Sequence, residues 1–130
     1  MKVVETKAVP AAIGPYSQAM ISGNMVYTCG QIALCPQSGE LTGSTIEEQT
    51  DQVIKNLKAL LEAAGSSITK VVKSTCYLVN MKDFPAFNGV YAKHFLNKPA
   101  RTTIAARGLP KNALVEIEVI AELGDVPVFG

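Results

Sequence analysis

A chain of 130 residues, 48% hydrophobic and 18% charged, has the length for one compact domain, 1–130, with a sizeable core. Twelve Lys and Arg against eleven Asp and Glu leave a net charge of +1, which argues against long-range attraction to nucleic acid or an anionic membrane. One histidine, His94, excludes an HExxH zinc helix or a His pair within one chain, and three cysteines, Cys29, Cys35 and Cys76, cannot all pair with one another. No secretory leader opens the chain and no run approaches the roughly 18 apolar residues of a spanning helix, so the expectation is a reducing, cytoplasmic setting with no membrane partner.

Residues 2–5 read as a short strand, and residues 9–15, with two prolines and a glycine, as an irregular but specified loop. Residues 18–21 and 25–29 flank Ser22, Gly23 and Asn24 and predict a β-hairpin. A loop over 31–43 precedes the clearest element: Ile46, Val53, Leu57, Leu60, Leu61 and Ala64 recur at helical spacing opposite Glu47, Glu48, Lys55, Lys58 and Glu62. Thr45 and Glu48 form a capping box, and Gly65 stands where a left-handed residue ends a helix, so the helix spans 46–64. Residues 71–79 are β-branched and aromatic enough for a strand, and Asp83 is placed to cap a second helix that turns Phe84, Phe87, Tyr91 and Phe95 inward. Pro85 is tolerated in its first turn. Strands at 102–106 and 114–123, joined by a turn at 108–112, close the chain.

The order β-β-β-α-β-α-β-β predicts an α+β fold, a mixed sheet with both helices on one face. In the last strand, alternation sends Val115, Ile117, Val119 and Ala121 to one face and Leu114, Glu116, Glu118, Ile120 and Glu122 to the other. The first set suits packing under helices. The second mixes apolar residues with three carboxylates and suits a wet, partly buried interface between copies of a homo-oligomer.

Candidates for chemistry follow from residue type and place. Arg101, held behind Pro99, can clamp a carboxylate with two parallel hydrogen bonds, or can be an exposed strand-end cation. Glu116 in mid-strand can have its carboxyl raised by desolvation and orient or deprotonate a water, or can be a solvent-side alternation residue; Glu118 shares its face, and periodicity does not choose between them. Cys29 before Gly30 is either an exposed nucleophile or a small buried thiol, the second favoured for want of a neighbouring base. His94 near a helix end fits a structural cation better than a catalyst. Tyr16 follows Gly14 and Pro15, so it is either presented from a stiff loop or a core aromatic, and Asn88 in mid-helix hints at a hydrogen-bonding task.

The segments PAAIGPYSQA (10–19), TCGQI (28–32), EAAG (62–65), PARTT (99–103) and LPKNALVEIE (109–118) together resemble the RidA/YjgF family of imine deaminases, also known by the older names of translation inhibitor and L-PSP ribonuclease. The resemblance spans nearly the whole chain and implies a chorismate-mutase-like fold and a homotrimer with active sites in the clefts between subunits. It implies that Arg101 grips the substrate carboxylate, that Glu116 positions the hydrolytic water, and that Tyr16, Asn88, Thr103 and the Cys29–Gly30 backbone line the pocket. The implied reaction turns a 2-imino acid, or its enamine tautomer, into a 2-oxo acid and ammonia, without cofactor or metal. The sequence departs from the family pattern in three places: Cys29 stands where Ser is common, Thr103 where some members have Cys, and the connection from Phe95 to Pro99 is short, which reshapes the cleft rim. The alternatives are ribonuclease or translation-inhibitor activity, which a net charge of +1 and a lone histidine support poorly, and a ligand-binding or chaperone-like trimer without turnover.

Overall fold

The computed structural model describes residues 1–124. Its strands are β1 (Lys2–Val4), β2 (Ala19–Ser22), β3 (Met25–Thr28), β4 (Val71–Leu78), β5 (Ala100–Ala105) and β6 (Val115–Glu122), with helices α1 (Ile46–Ala63) and α2 (Phe84–His94). The six strands form one sheet in the order β1-β2-β3-β6-β4-β5. Only β4 and β5 run parallel, as a strand–helix–strand connection through α2 requires; the other neighbours are antiparallel. The β2–β3 hairpin turns on Gly23, whose φ of +59° is open to glycine at little cost, with Ser22 paired to Met25 across the turn.

Helix α1 begins where its sequence dictates. The Thr45 hydroxyl accepts from Glu48 N–H, and the Glu48 carboxylate accepts from Thr45 N–H, which completes the capping box. At the other end Gly65, at φ +88°, lets Ser66 N–H reach back to Leu61 C=O (2.8 Å) and its own N–H to Glu62 C=O (3.0 Å), a Schellman closure. Between them Val53, Ile54, Leu57, Leu60 and Leu61 are fully buried against the sheet, where truncating one leucine to alanine costs about 2–5 kcal/mol. They meet Val115, Ile117, Val119 and Ala121, the buried set of β6, as the alternation required.

Two expectations are corrected at α2 and β5. Asp83 makes no side-chain cap: its backbone is already helical, and Asn80 instead accepts from Lys82 N–H to open a short 3-10 turn that runs directly into α2. Strand β5 starts at Ala100, two residues before the predicted start, because parallel pairing with β4 already holds Ala100 opposite Lys73. Arg101 therefore lies within the strand.

His94 ends α2 and ties it to α1. Its Nε2 is 3.1 Å from Asp51 Oδ1 and its Nδ1 is 2.9 Å from Lys58 Nζ; the lysine can only donate, so the second nitrogen is free to donate to the aspartate. Burial acts to raise the Asp51 carboxyl, but hydrogen bonds from Lys55 and His94 outweigh it and hold the group below its usual range. No described helix is long and apolar enough to cross a membrane.

Candidate active site

The register of the sheet divides the candidate residues into two groups. Arg101 pairs with Ser74 and Thr103 with Cys76, and Ser74 and Cys76 are fully buried on the helix side of β4. Glu116 pairs with Tyr77, one position further on and on the opposite face. Within one chain, Arg101 and Glu116 thus occupy different faces of the sheet.

On the helix face, Arg101 Nη1 donates to Asn88 Oδ1 at 2.8 Å. Its guanidinium carbon lies 4.7 Å from the ring centroid of Tyr91, 5.3 Å from Phe84 and 5.8 Å from Phe87. All four partners project from α2 at positions three and four apart, the spacing that lines one side of a helix. No described carboxylate pairs with Arg101, so most of its donors remain for a ligand. Beside it the Thr103 hydroxyl oxygen is buried with no well-formed hydrogen bond, its polar neighbour being the thiol of Cys76, its pair across the register. The adjoining hollow of about 470 Å³ is bordered by Tyr91, Leu96, Lys98, Pro99 and Arg101; the short connection places its rim, with Lys98 at φ +50° in the turn closed by Lys98 N–H on Phe95 C=O.

The second group surrounds a hollow of about 300 Å³ bordered by Tyr16, Cys29, Gly30, Lys111 and Glu116. Gly30 is there because Glu116 needs the room: a Cβ at position 30 would overlap the Glu116 carboxylate. Cys29 N–H is engaged by Gln18 C=O and Gln31 N–H by Ile117 C=O, while the Gly30 N–H between them donates to no described residue. The Glu116 carboxylate likewise accepts no hydrogen bond from a described residue, and burial, then the neighbouring Glu118 charge, push it above the ordinary carboxylate range. Glu118, in contrast, accepts from the Tyr77 hydroxyl at 2.7 Å, which in turn pushes that phenol up. This difference separates the two glutamates that alternation left equivalent.

Tyr16 is half exposed on a loop folded by its own contacts, with its hydroxyl accepting from Ile13 N–H at 3.3 Å and its N–H donating to Gly14 C=O. The loop is fastened by a residue the sequence did not mark. Buried Gln18 accepts from Thr6 N–H and donates to Thr6 C=O and Pro10 C=O, doing for the loop what a strand neighbour would do. Polarity at a buried alternation position was the only available signal. Cys29 is partly buried, and burial raises its thiol despite the hydrogen bond from Gln31, so a thiolate nucleophile is disfavoured there. Among the described residues no three His, Cys, Asp or Glu side chains converge as metal ligands.

The family model described as Endoribonuclease L-PSP matches residues 6–123. The chain belongs to the RidA/YjgF family. It is 42% identical to the 2-iminobutanoate/2-iminopropanoate deaminase of Rattus norvegicus, covering 99% of this chain and 95% of the relative. It is 44% identical to the chloroplastic Reactive Intermediate Deaminase A of Arabidopsis thaliana, over 94% of this chain and 66% of that protein. Among solved RidA/YjgF structures, TdcF of E. coli with bound serine superposes with a TM-score of 0.89 at 38% identity, covering 94% of this chain and 98% of the other.

Proposed function

We propose that this RidA/YjgF protein hydrolyses small 2-imino acids to 2-oxo acids and ammonia, in sites assembled from Arg101 of one copy of the chain and Glu116 of another. The observation that carries the reading is the division of the site. Among the described residues Arg101 has no carboxylate partner and Glu116 no donor, the two lie on opposite faces of one sheet, and neither half can bind and hydrate an imino acid alone. A homotrimer brings the halves together if the open sheet face, where Tyr27 and Ile104 are 44% and 46% exposed, packs against a neighbour. The name of the rat relative gives the same substrate class, and that of the plant relative a deaminase of reactive intermediates.

In the mechanism, the Arg101 fork takes the substrate carboxylate, the Thr103 hydroxyl gives it a further donor, and Asn88 holds one nitrogen of the guanidinium in place. A protonated imine carbon is already electrophilic, so what remains is to orient a water. Glu116 accepts a proton from that water as its oxygen bonds to the iminium carbon and the C=N π electrons move to nitrogen; the proton then passes to the amino group, and as the C–N bond breaks the carbinol hydroxyl gives its own proton back to the Glu116 carboxylate, which hands it to the departing ammonia, so the 2-oxo acid and ammonium leave. The free Gly30 N–H is available to the carboxylate or to the developing oxygen. The ribonuclease activity in the family model's description finds no support here, since the lone histidine is engaged between Asp51 and Lys58 as a helix tie.

The test couples the protein to a serine or threonine dehydratase and follows 2-oxo acid release above the spontaneous rate. Arg101→Ala and Glu116→Ala are each expected to abolish the acceleration. Refolded together in equal amounts, the two dead variants should recover roughly a quarter of the native activity, the statistical share of cyclic interfaces that receive both native residues. No recovery on mixing would place the site within one chain. Full activity in Arg101→Ala would end the carboxylate-grip reading.

A further inference from the structure

An arginine side chain on an edge strand, with one hydrogen bond to an amide, can still rotate about that bond. The structure shows what stops it. Of the three rings around the guanidinium, Tyr91 is nearest at 4.7 Å, within the range where an aromatic face attracts a cation. Tyr91 is itself immobilised on three sides: it stacks on Phe95 at 4.2 Å, leans on Phe87 at 5.6 Å, and its hydroxyl lies 2.6 Å from the Ser74 hydroxyl. Ser74 is fully buried on β4, and in the parallel register it is the residue directly beside Arg101. The ring that faces the guanidinium is therefore anchored to the same rung of the sheet that carries the arginine.

We propose that Tyr91, its ring held between Phe87 and Phe95, is a positioning residue that fixes the plane of the Arg101 guanidinium and so sets the direction in which the substrate carboxylate is gripped. Asn88 fixes one nitrogen; the Tyr91 face fixes the plane. Together they leave the remaining edge of the fork pre-aimed before substrate arrives, which lowers the ordering cost of binding. The inference rests on the reading of Arg101 as the carboxylate grip, and it predicts that loss of the ring weakens binding more than turnover.

The dehydratase-coupled assay and calorimetry with 2-oxobutanoate test it on the full-length chain. Tyr91→Leu should raise KM and weaken 2-oxobutanoate binding about tenfold, the size of a desolvated cation–π contact, with kcat within about threefold of native. Tyr91→Phe keeps the ring between Phe87 and Phe95 and should restore both values to within about threefold, which a structural role of the hydroxyl alone would not allow. An unchanged KM in Tyr91→Leu, or a Tyr91→Phe as impaired as Tyr91→Leu, overturns the proposal. If Tyr91→Leu does not fold, a series of increasingly fluorinated phenylalanines at position 91 keeps the shape and weakens the ring's field; KM should climb along the series, and a flat series overturns the proposal. Arg101→Ala in the same assay separates the two inferences. Native turnover in that variant defeats the functional reading itself, whereas a dead Arg101→Ala beside an unaffected Tyr91→Leu defeats only the role of Tyr91.

Discussion

The two halves of the site are built to opposite rules. Around Arg101 nearly everything is fixed: three aromatic rings, an amide and a buried hydroxyl pair hold one cation in one attitude. Around Glu116 contacts are sparse: a glycine clears space for the carboxylate, no described residue donates to it, and a neighbouring backbone N–H donates to no described residue. The contrast fits the tasks proposed for the two halves. A grip on a carboxylate gains from a rigid fork, because every degree of freedom already frozen is one that binding need not freeze. A group that handles a water proton needs open lone pairs and a pKa brought nearer to neutrality, and every hydrogen bond to its ionised form would take it the other way.

The sharpest way to break this comparison is to keep the charge on the rigid side and remove its shape. Arg101→Lys preserves the cation but not the planar fork, and kcat/KM for the coupled reaction should fall roughly a hundredfold; a fall of less than threefold would mean that charge alone suffices. On the open side, Gly30→Ala is the matching experiment. The added methyl meets the Glu116 carboxylate, and since Gly30 is not among the glycines with positive φ the backbone itself is not strained. We expect kcat to drop about tenfold or more with the melting temperature little changed, the share of a misplaced general base; native kcat would show that the carboxylate has room elsewhere.

Electrostatics sharpens the same contrast. On the proposed mechanism Glu116 works ionised, and burial together with Glu118 resists that, so the acid limb of kcat/KM should lie above 4.5, the unperturbed glutamate value. Glu118→Gln removes the second cause and should move the limb to lower pH; a limb that does not move would assign it to another group. Stability runs in the opposite sense. A carboxyl whose folded pKa is raised costs the native state nothing below the unfolded value, where it is neutral in both states; its cost grows as pH rises from the unfolded to the folded value and is constant above that. Glu116→Gln should therefore melt higher than the native protein at pH 7 and equally below pH 4.5, while its turnover is lost.

The smallest effect expected is in thiol reactivity, with one cysteine reporting on each half. Cys76, on the strand beside Arg101, is fully buried and pushed up to about 11 by that burial; Cys29, beside Glu116, is only partly buried and raised by that burial; Cys35, in the loop, is lowered by hydrogen bonds centred on Ser38. Alkylation followed by mass spectrometry should give the order Cys35, Cys29, Cys76. Cys76 reacting ahead of Cys29 would mean that the Arg101 half opens more readily than its packing indicates.

What could be read from the sequence was whatever depended on near neighbours along the chain. The capping box of Thr45 and Glu48, the closing turn at Gly65 and the alternation of β6 are local patterns, and each appears where its spacing puts it. Helix α2 starts after Asp83 as read, but its side chain makes no cap, because the 3-10 turn capped by Asn80 runs straight into the helix and already sets Asp83 in helical backbone. The choice between Glu116 and Glu118, the burial of Gln18 and the pairing of Ser74 with Arg101 all depend on which strand lies beside which. That is a matter of register between distant segments, and no residue declares it alone.

The parallel pair β4–β5 carries a consequence for how such a site can change. Ser74, Asn88, Tyr91, Arg101 and Thr103 all belong to one strand–helix–strand unit, residues 71–105, whereas Tyr16, Gly30 and Glu116 come from three separate stretches of chain outside it. Lengthening or shortening the connection after Phe95 therefore alters the border of the anion-gripping hollow by a local edit, and leaves the water-handling half as it was. On the proposed reading, recognition and hydrolysis would be inherited on different segments, so the range of acids accepted could drift by insertion and deletion while the chemistry stays put.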